Sequence, residues 1–436
     1  MAPAIVVKTY GCQMNEADSL ALEEELQRMG FELVEDESKA DAVILNTCAV
    51  RRKAEERVFG QLGHLKALKA RSKALKARSK SSDGPLVLGL IGCMAKASKE
   101  EILSRAPFVD FILDPDQLEE VAPTLASYFP SLVFDGDASR GGDASRDGLP
   151  SLPFPFKRYL PIMRGCDNFC SYCIVPYTRG REVSTPPGKV IQRVEELQRE
   201  GVLELTLLGQ NVNSYSSQAW NFPMLLLELS RRFPEMGFRF LTSHPKDFSD
   251  ELIEIMASRD NVLPSLHLPL QSGSDKILGL MKRRYTIKDY MTKIYRLREA
   301  IPDIALTTDL ICGFPGEEKE DFQQTLAAVE EIRFSSAFMF YYQERPGTDA
   351  AEFPNMLAIE ERKARLRSLI EVQQRVSEAQ SQIYQGELID TLVEQPSRRD
   401  EKVLAGRTVH DKIILFAGDQ DLIGKHVKIR CTKADH

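Results

Sequence analysis

Short apolar segments, each followed by a polar loop and a helix-like stretch, recur along most of this chain. That alternation constrains the fold more than any other feature. Ile5–Tyr10 is a β-branched strand. Asn15 is placed to cap a helix that runs through Met29 and stops at Gly30. Phe31–Val34 is a weaker strand and Ala42–Asn46 a clear one, and a charged helix begins near Arg51. Leu86–Gly92 and Phe108–Leu113 add two more strands. The βαβα rhythm specifies an α/β fold with a mostly parallel, doubly wound sheet.

A second series of strands follows: Tyr159–Met163, Leu203–Leu208, Phe238–Leu241, Ser265–Leu268, Ile304–Ile311 and Ala337–Tyr342. Helical segments separate them, among them Lys189–Glu200, Met224–Phe233, Asp250–Ser258 and Tyr285–Ala300. Six βα repeats of this size predict a partial (β/α)6 barrel, in which working residues gather at the carboxyl ends of the strands. Polar motifs stand there: Gly209–Asn213, Thr242–Pro245, Pro269–Ser274 and Asp309–Gly316. Such motifs on several strands suit one shared pocket better than scattered caps, although Ser243 or Ser272 alone reads as a helix cap. His267 alternates with Leu266 and Leu268 and reads as a core histidine; His244 is a weak acid–base candidate.

Cysteines give this scaffold its chemistry. Cys166, Cys170 and Cys173 follow the first barrel strand with spacing Cys-x3-Cys-x2-Cys. Three thiolates on one loop can hold three irons of a 4Fe–4S cube and leave the fourth iron open to a small molecule. A zinc site would take a second Cys pair or two His, and no His lies between His64 and His244. In the first third, Cys12, Cys48 and Cys93 each stand just beyond a strand. In a flavodoxin-like order 2-1-3-4-5 those strands are neighbours, so the three thiols converge on one sheet edge and suit a second open cluster. Cys312 and Cys431 have no partner at ligand spacing and read as core.

The tail changes character. Ile359–Gln385 is a long helix, and Leu388–Val393, Lys402–Ala405, Lys412–Phe416 and Val427–Cys431 form a small OB-like β-barrel, a type that binds RNA or serves as scaffold. The heptad Lys66–Ser72 repeats as Lys73–Ser79, a basic tract that extends the helix before it. It reads first as a solvated face and second as an arm against RNA. Gly136–Arg140 recurs as Gly142–Arg146 and, with the prolines after it, marks a linker. The expected domains are 1–130, a linker at 131–155, 156–375 and 376–436. A net charge of −7 excludes an overall nucleic-acid footprint, so any RNA binding must be local. Apolar runs such as Leu86–Gly92 are too short to span a bilayer, and no charged segment before an apolar stretch suggests a signal peptide. Eight cysteines in a chain of 436 residues read as metal ligands or core rather than as disulfides. A cytoplasmic protein is expected.

Thr9–Asn15, Asn46–Arg51, Gly92–Met94, Gly165–Cys173, Pro176–Glu182, Leu207–Tyr215, His267–Ser274 and Arg345–Thr348 together resemble the methylthiotransferase family of radical S-adenosylmethionine (SAM) enzymes over nearly the whole chain. The C-terminal barrel resembles a TRAM domain. The resemblance implies two 4Fe–4S clusters, one on Cys12, Cys48 and Cys93 and the catalytic one on Cys166, Cys170 and Cys173. SAM would be cleaved at the second cluster to a 5′-deoxyadenosyl radical, and the first would deliver a methylated sulfur. Tyr172, Gln210, Asn211, Ser243, Gln271, Ser272, Asp309 and Ile311 are the expected SAM contacts. Tyr10–Asn15 and Pro176–Gly180 favour methylthiolation at C2 of N(6)-dimethylallyladenosine next to the tRNA anticodon. The alternatives are threonylcarbamoyladenosine tRNA and a ribosomal-protein aspartate. A tRNA anticodon stem-loop, a flavodoxin or ferredoxin as electron donor and a sulfur source are the implied partners of an expected monomer. An iron–sulfur carrier or a plain RNA-binding protein would hold iron without cleaving SAM. Thr185 and Cys312 depart from the family pattern, and the two duplications look like insertions.

Overall fold

The computed structural model describes residues 2–49, 52–79, 86–130, 155–397 and 399–434, with backbone alone at 52–54 and 73–79. The duplicated linker motif, nearly all of the expected linker 131–155, Val50, Arg51 and Arg398 lie outside the described residues. The chain divides into two compact units, Met1–Leu152 with Ile174–Gly180, and Pro153–Cys173 with Arg181–His436.

The first unit runs β1 (Ala4–Tyr10), α1 (Gln13–Arg28), β2 (Glu32–Leu33), β3 (Ala42–Thr47), α2 (Arg52–Ser79), β4 (Val87–Gly92), α3 (Cys93–Ala97), α4 (Lys99–Arg105), β5 (Phe111–Leu113) and α5 (Val121–Ala126). Its five strands are parallel in the order β2-β1-β3-β4-β5, the expected flavodoxin-like arrangement. Side chains alternate across it. Ile5, Ala42, Ile44, Val87 and Ile91 pack with Leu22, Leu26, Val121 and Leu125. Val6, Val43, Leu45, Leu88 and Leu90 pack with Val58, Leu62, Leu65, Met94 and Ile102. Both faces are therefore covered, which is why the central strands are apolar throughout. Helix α2 carries the basic tract as its continuation to Ser79, as expected.

The start of α1 differs from expectation. Cys12, not Asn15, is the N-cap. Asn15 sits in the first turn, accepts from the Cys12 N–H at 3.3 Å and donates to Asn46 Oδ1 at 2.8 Å and the Thr47 carbonyl at 3.2 Å. Its side chain thus closes a capping box on Cys12 with its oxygen and binds the neighbouring strand with its amide nitrogen.

The second unit begins with β6 (Lys157–Pro161) and β7 (Met163–Arg164). Helix α6 (Val175–Arg179) groups with the first unit. The second unit resumes with β8 (Val183–Ser184), α7 (Pro187–Arg199), β9 (Glu204–Leu208), β10 (Ser216–Ser217), β11 (Trp220–Asn221), α8 (Phe222–Arg232), β12 (Gly237–Leu241), α9 (Asp250–Ser258), β13 (Ser265–His267), α10 (Asp275–Leu280), α11 (Ile287–Ala300), β14 (Ala305–Cys312), α12 (Lys319–Ile332) and β15 (Ser336–Tyr341). Parallel sheets β12-β9-β6 and β13-β14-β15 are joined by a bridge between Phe238 and Val262. The six strands thus stand in chain order, as a partial barrel requires. Leu205, Leu207, Phe238, Phe240, Leu266, Leu306 and Leu310 face Val194, Leu229, Leu297 and Val329 of the surrounding helices in one core. Helix α13 (Ile359–Gln382) leads to an antiparallel sheet of β16 (Leu388–Pro396), β17 (Val403–Thr408), β18 (Ile413–Ala417) and β19 (His426–Arg430), ordered β18-β17-β16-β19.

Candidate iron–sulfur and S-adenosylmethionine sites

In the first unit the register of the sheet brings three thiols together. Tyr10 pairs with Thr47, and Thr47 with Gly92. Cys48 and Cys93 follow those partners directly, and Cys12 comes two residues after Tyr10. Adjacent strands lie about 4.8 Å apart, so the thiols share one sheet edge. The Cys12 thiol is lowered to about 6, first by a hydrogen bond with Cys48, against the opposing effect of burial. Cys93 is pushed up by burial, with Arg179 pulling the other way. Arg179 of α6 donates through Nε to Cys93 Sγ at 3.1 Å and through Nη2 to Asp18 Oδ2 at 3.2 Å.

In the second unit the Cys166–Cys173 loop is shaped by backbone that glycine favours: Gly165 has φ +79° and Phe169 φ +47°. Phe169 in the left-handed region is a strained choice of a kind that clusters at functional sites. The Gly165 N–H donates to Gln210 Oε1 at 2.6 Å, which ties the loop to the end of β9. Asn168 Nδ2 donates to Cys166 Sγ at 3.6 Å and Arg283 Nη1 to Cys170 Sγ at 3.4 Å. Burial pushes Cys166 up to about 11. Both donor sets are thiols alone, with N–H groups aimed at sulfur, and this fits iron–sulfur ligation. Among the described residues no three His, Cys, Asp or Glu side chains close on a single metal ion. A cube spreads its thiolates over separate irons, so it asks for a wider spacing than one ion does.

The expected SAM contacts fall into two groups. Asn211 Oδ1, Ser243 Oγ and Gln271 Oε1 are buried without a hydrogen-bond partner, at the carboxyl ends of β9, β12 and β13. Gln271 also holds φ +71°. Buried polar atoms are nearly always satisfied, so such a group signals a missing polar partner. Gln210 and Ser272 instead spend their oxygens inside the protein, Gln210 on Gly165 and Ser272 on Thr325 and the Ser274 N–H. Asp309 is 3.5 Å from His267 Nε2. Tyr172 and Ile311 pack against a small apolar cluster of Ile277, Met281, Phe314, Tyr342 and Ala350. Sequence reasoning passed over Asn213, Arg179 and Arg283 here and weighed His244 only as a weak acid–base group. Both amide atoms of Asn213, and Nε2 of His244, are buried and unpartnered like the first group. Arg283 and Arg179 reach cysteine sulfurs. Asn213 and Arg179 stood inside motifs already singled out, but nothing in their spacing tells where their side chains go.

The radical SAM superfamily matches residues 160–329, and an uncharacterised family, UPF0004, matches residues 4–114. Among solved structures, the radical S-adenosylmethionine methyltransferase TsrM from Kitasatospora setae aligns with a TM-score of 0.56 at 12% identity, over 78% of this chain and 73% of that one, a likeness of fold alone. The fold and the three-cysteine loop therefore define a radical SAM enzyme with an N-terminal UPF0004 domain. A protein of Moorella thermoacetica named tRNA-2-methylthio-N(6)-dimethylallyladenosine synthase is 41% identical over 98% of this chain and 95% of its own. One of that name from Dictyoglomus thermophilum is 39% identical over 99% and 96%. The chain belongs to the family of tRNA-2-methylthio-N(6)-dimethylallyladenosine synthases.

Proposed function

We propose that this enzyme adds a methylthio group to C2 of N(6)-dimethylallyladenosine next to the anticodon of tRNA. The carrying observation is two separate three-thiol sets, one at a parallel sheet edge and one on a loop at a barrel mouth, in a chain of this family. When bound, the clusters supply an electron to cleave SAM and a site to hold the sulfur, chemistry that C2, which has no acidic proton, requires. The protein contributes position. Gln210 and Arg283 fix the Cys166–Cys173 loop against the strand ends. Asn211, Asn213, Ser243, His244 and Gln271 offer buried polar atoms without protein partners to SAM. Tyr172, Asp309 and Ile311 complete the expected contacts.

The C-terminal sheet, read as a TRAM module, would grip the anticodon stem-loop, whose unstacked bases can splay into a pocket. A low-potential electron donor of flavodoxin or ferredoxin type and a sulfur source complete the reaction, with the enzyme acting as a cytoplasmic monomer. Among the described residues no helix is long and apolar enough to cross a membrane.

Nucleoside mass spectrometry of tRNA from a host lacking its own methylthiotransferase, with and without this gene, tests the reading. A methylthio adduct confined to dimethylallyladenosine is expected, and Cys48→Ala should abolish it while SAM cleavage continues. An adduct on threonylcarbamoyladenosine would change the substrate, and none at all with SAM cleavage intact would move the target from RNA to protein.

A further inference from the structure

Arg179 carries more than a structural contact. Its side chain is 4% exposed and that of its partner Asp18 is 6% exposed. A buried guanidinium is costly unless it is paired and hydrogen-bonded. Asp18 balances its charge through Nη2, so the pair has no electrostatic need of a thiol. Nε nevertheless meets Cys93 Sγ at 3.1 Å, and Nη1 is buried without a hydrogen-bond partner. A thiol is a weak acceptor, whereas a thiolate, such as a metal-bound cysteine, makes a charge-assisted bond. The fork therefore suits Cys93 as a ligand rather than as a free thiol.

We propose that Arg179 is a positioning residue of the Cys12/Cys48/Cys93 site, and that the opposed charges of Arg179 and Asp18 set the reduction potential of the cluster held there. The inference rests on the reading of that site as a second cluster. The potential of an iron–sulfur cluster follows its net charge and the hydrogen bonds to its sulfurs. Reduction adds one negative charge beside a buried ion pair and two buried cysteines, Cys48 and Cys93, where screening is weak. A cation beside it favours the reduced form and raises the potential, and a carboxylate lowers it. The two members of one ion pair therefore act with opposite signs, which a mere loosening of the packing would not do.

The test uses the full chain with Cys166→Ala, Cys170→Ala and Cys173→Ala, reconstituted with iron and sulfide, so that only the other site can load. Its midpoint potential is read by redox titration followed by electron paramagnetic resonance. Arg179→Gln is expected to lower the potential by about a tenfold change in the reduction equilibrium, about 59 mV for one electron. Asp18→Asn is expected to raise it by a similar factor. Arg179→Lys keeps the charge and should fall between the parent and Arg179→Gln. Potentials that stay put, or that move the same way in Arg179→Gln and Asp18→Asn, overturn the proposal. If Arg179→Gln retains no iron, Asp18→Asn decides alone, and a potential that does not rise removes the idea. If the parent triple variant takes up no iron, the second-cluster reading itself fails and the inference falls with it. A loaded site with unmoved potentials removes only the inference.

Discussion

The two barrel histidines live in opposite surroundings. His267 meets Thr307 Oγ1 at 2.9 Å and reads as the satisfied histidine that its alternation with leucines suggested. His244 is buried, accepts from the Lys246 N–H at 3.2 Å through Nδ1, and has no partner at Nε2. Burial, then the charges of Arg283, Lys246 and Arg284, push its imidazole down to about 2. An unfolded histidine titrates near 6.5. Above that pH both states are neutral and His244 contributes no pH dependence. Below it the unfolded chain takes up a proton that the folded one refuses, so stability falls by up to about 1.4 kcal/mol per pH unit. Thermal melts of the apoprotein between pH 7.5 and 5.5 should therefore show a smaller loss for His244→Asn than for the wild type, and parallel losses would refute this. The sequence could place His244 at a strand end. It could not show that Arg283, which governs the site from much further along the chain, lies beside it, because side-chain convergence of this kind leaves no local periodicity.

Elements were more legible than side chains. Strand positions and the sheet order followed from apolar runs and the βα rhythm, because both faces of a parallel sheet must be buried. The helix α11 follows the same logic at its start, with Thr286 and Asp289 bonding reciprocally in a capping box that spacing alone announces. The two-residue pairs β7–β8 and β10–β11 were missed, since strands that short carry no pattern. At α1 the cap fell on Cys12, three residues before Asn15, and Asn15 serves both ends: its oxygen closes the capping box on Cys12 and its nitrogen reaches Asn46 on another strand, a contact that no local pattern shows. The turn from β4 into α3 joins element to function. Gly92 holds φ +94°, and a methyl there would overlap the Thr47 carbonyl. Strain of this kind costs about 1–3 kcal/mol before the clash is counted. Cys93 follows Gly92 directly and Cys48 follows Thr47, so relief of the clash on either side shifts a cysteine of the set. Gly92→Ala is expected to lose about half of the protein's iron, one cluster of two, while SAM cleavage persists. Full iron content in that variant would show that the turn does not position the ligand.

At the scale of the whole molecule, the second unit is held together by a charged network that no sequence pattern foretold. Arg239 lies in β12, where an apolar strand was expected, and is 5% exposed. It donates to both oxygens of Glu204 at 3.0 and 3.3 Å, to Ser265 Oγ at 2.6 Å, and to the carbonyls of Thr408 and Val409 at 2.9 and 3.0 Å. Lys157 bridges Glu204 at 3.0 Å and Glu394 at 2.7 Å, and Arg407 reaches Glu394 at 3.0 Å. Burial opposes the charge of the Glu204 carboxylate, but Arg239 and Lys157 outweigh it and hold the group below its usual range. The barrel strands and the C-terminal sheet thus share one set of ions. A buried pair adds little beyond a well-packed apolar substitute, yet removing one partner strands the other, at about 3–5 kcal/mol. Arg239→Ala also deprives two carbonyls of their donor. The C-terminal sheet should therefore open first. Hydrogen exchange in β16–β19 is expected to rise in Arg239→Ala, while iron at the proposed Cys12/Cys48/Cys93 site stays constant. Arg239→Lys should recover only part of the protection, because one ammonium cannot reproduce a fork that reaches a carboxylate and two carbonyls together. Unchanged exchange in the sheet would mean that apolar packing alone docks it, and would assign the network to the barrel's own stability.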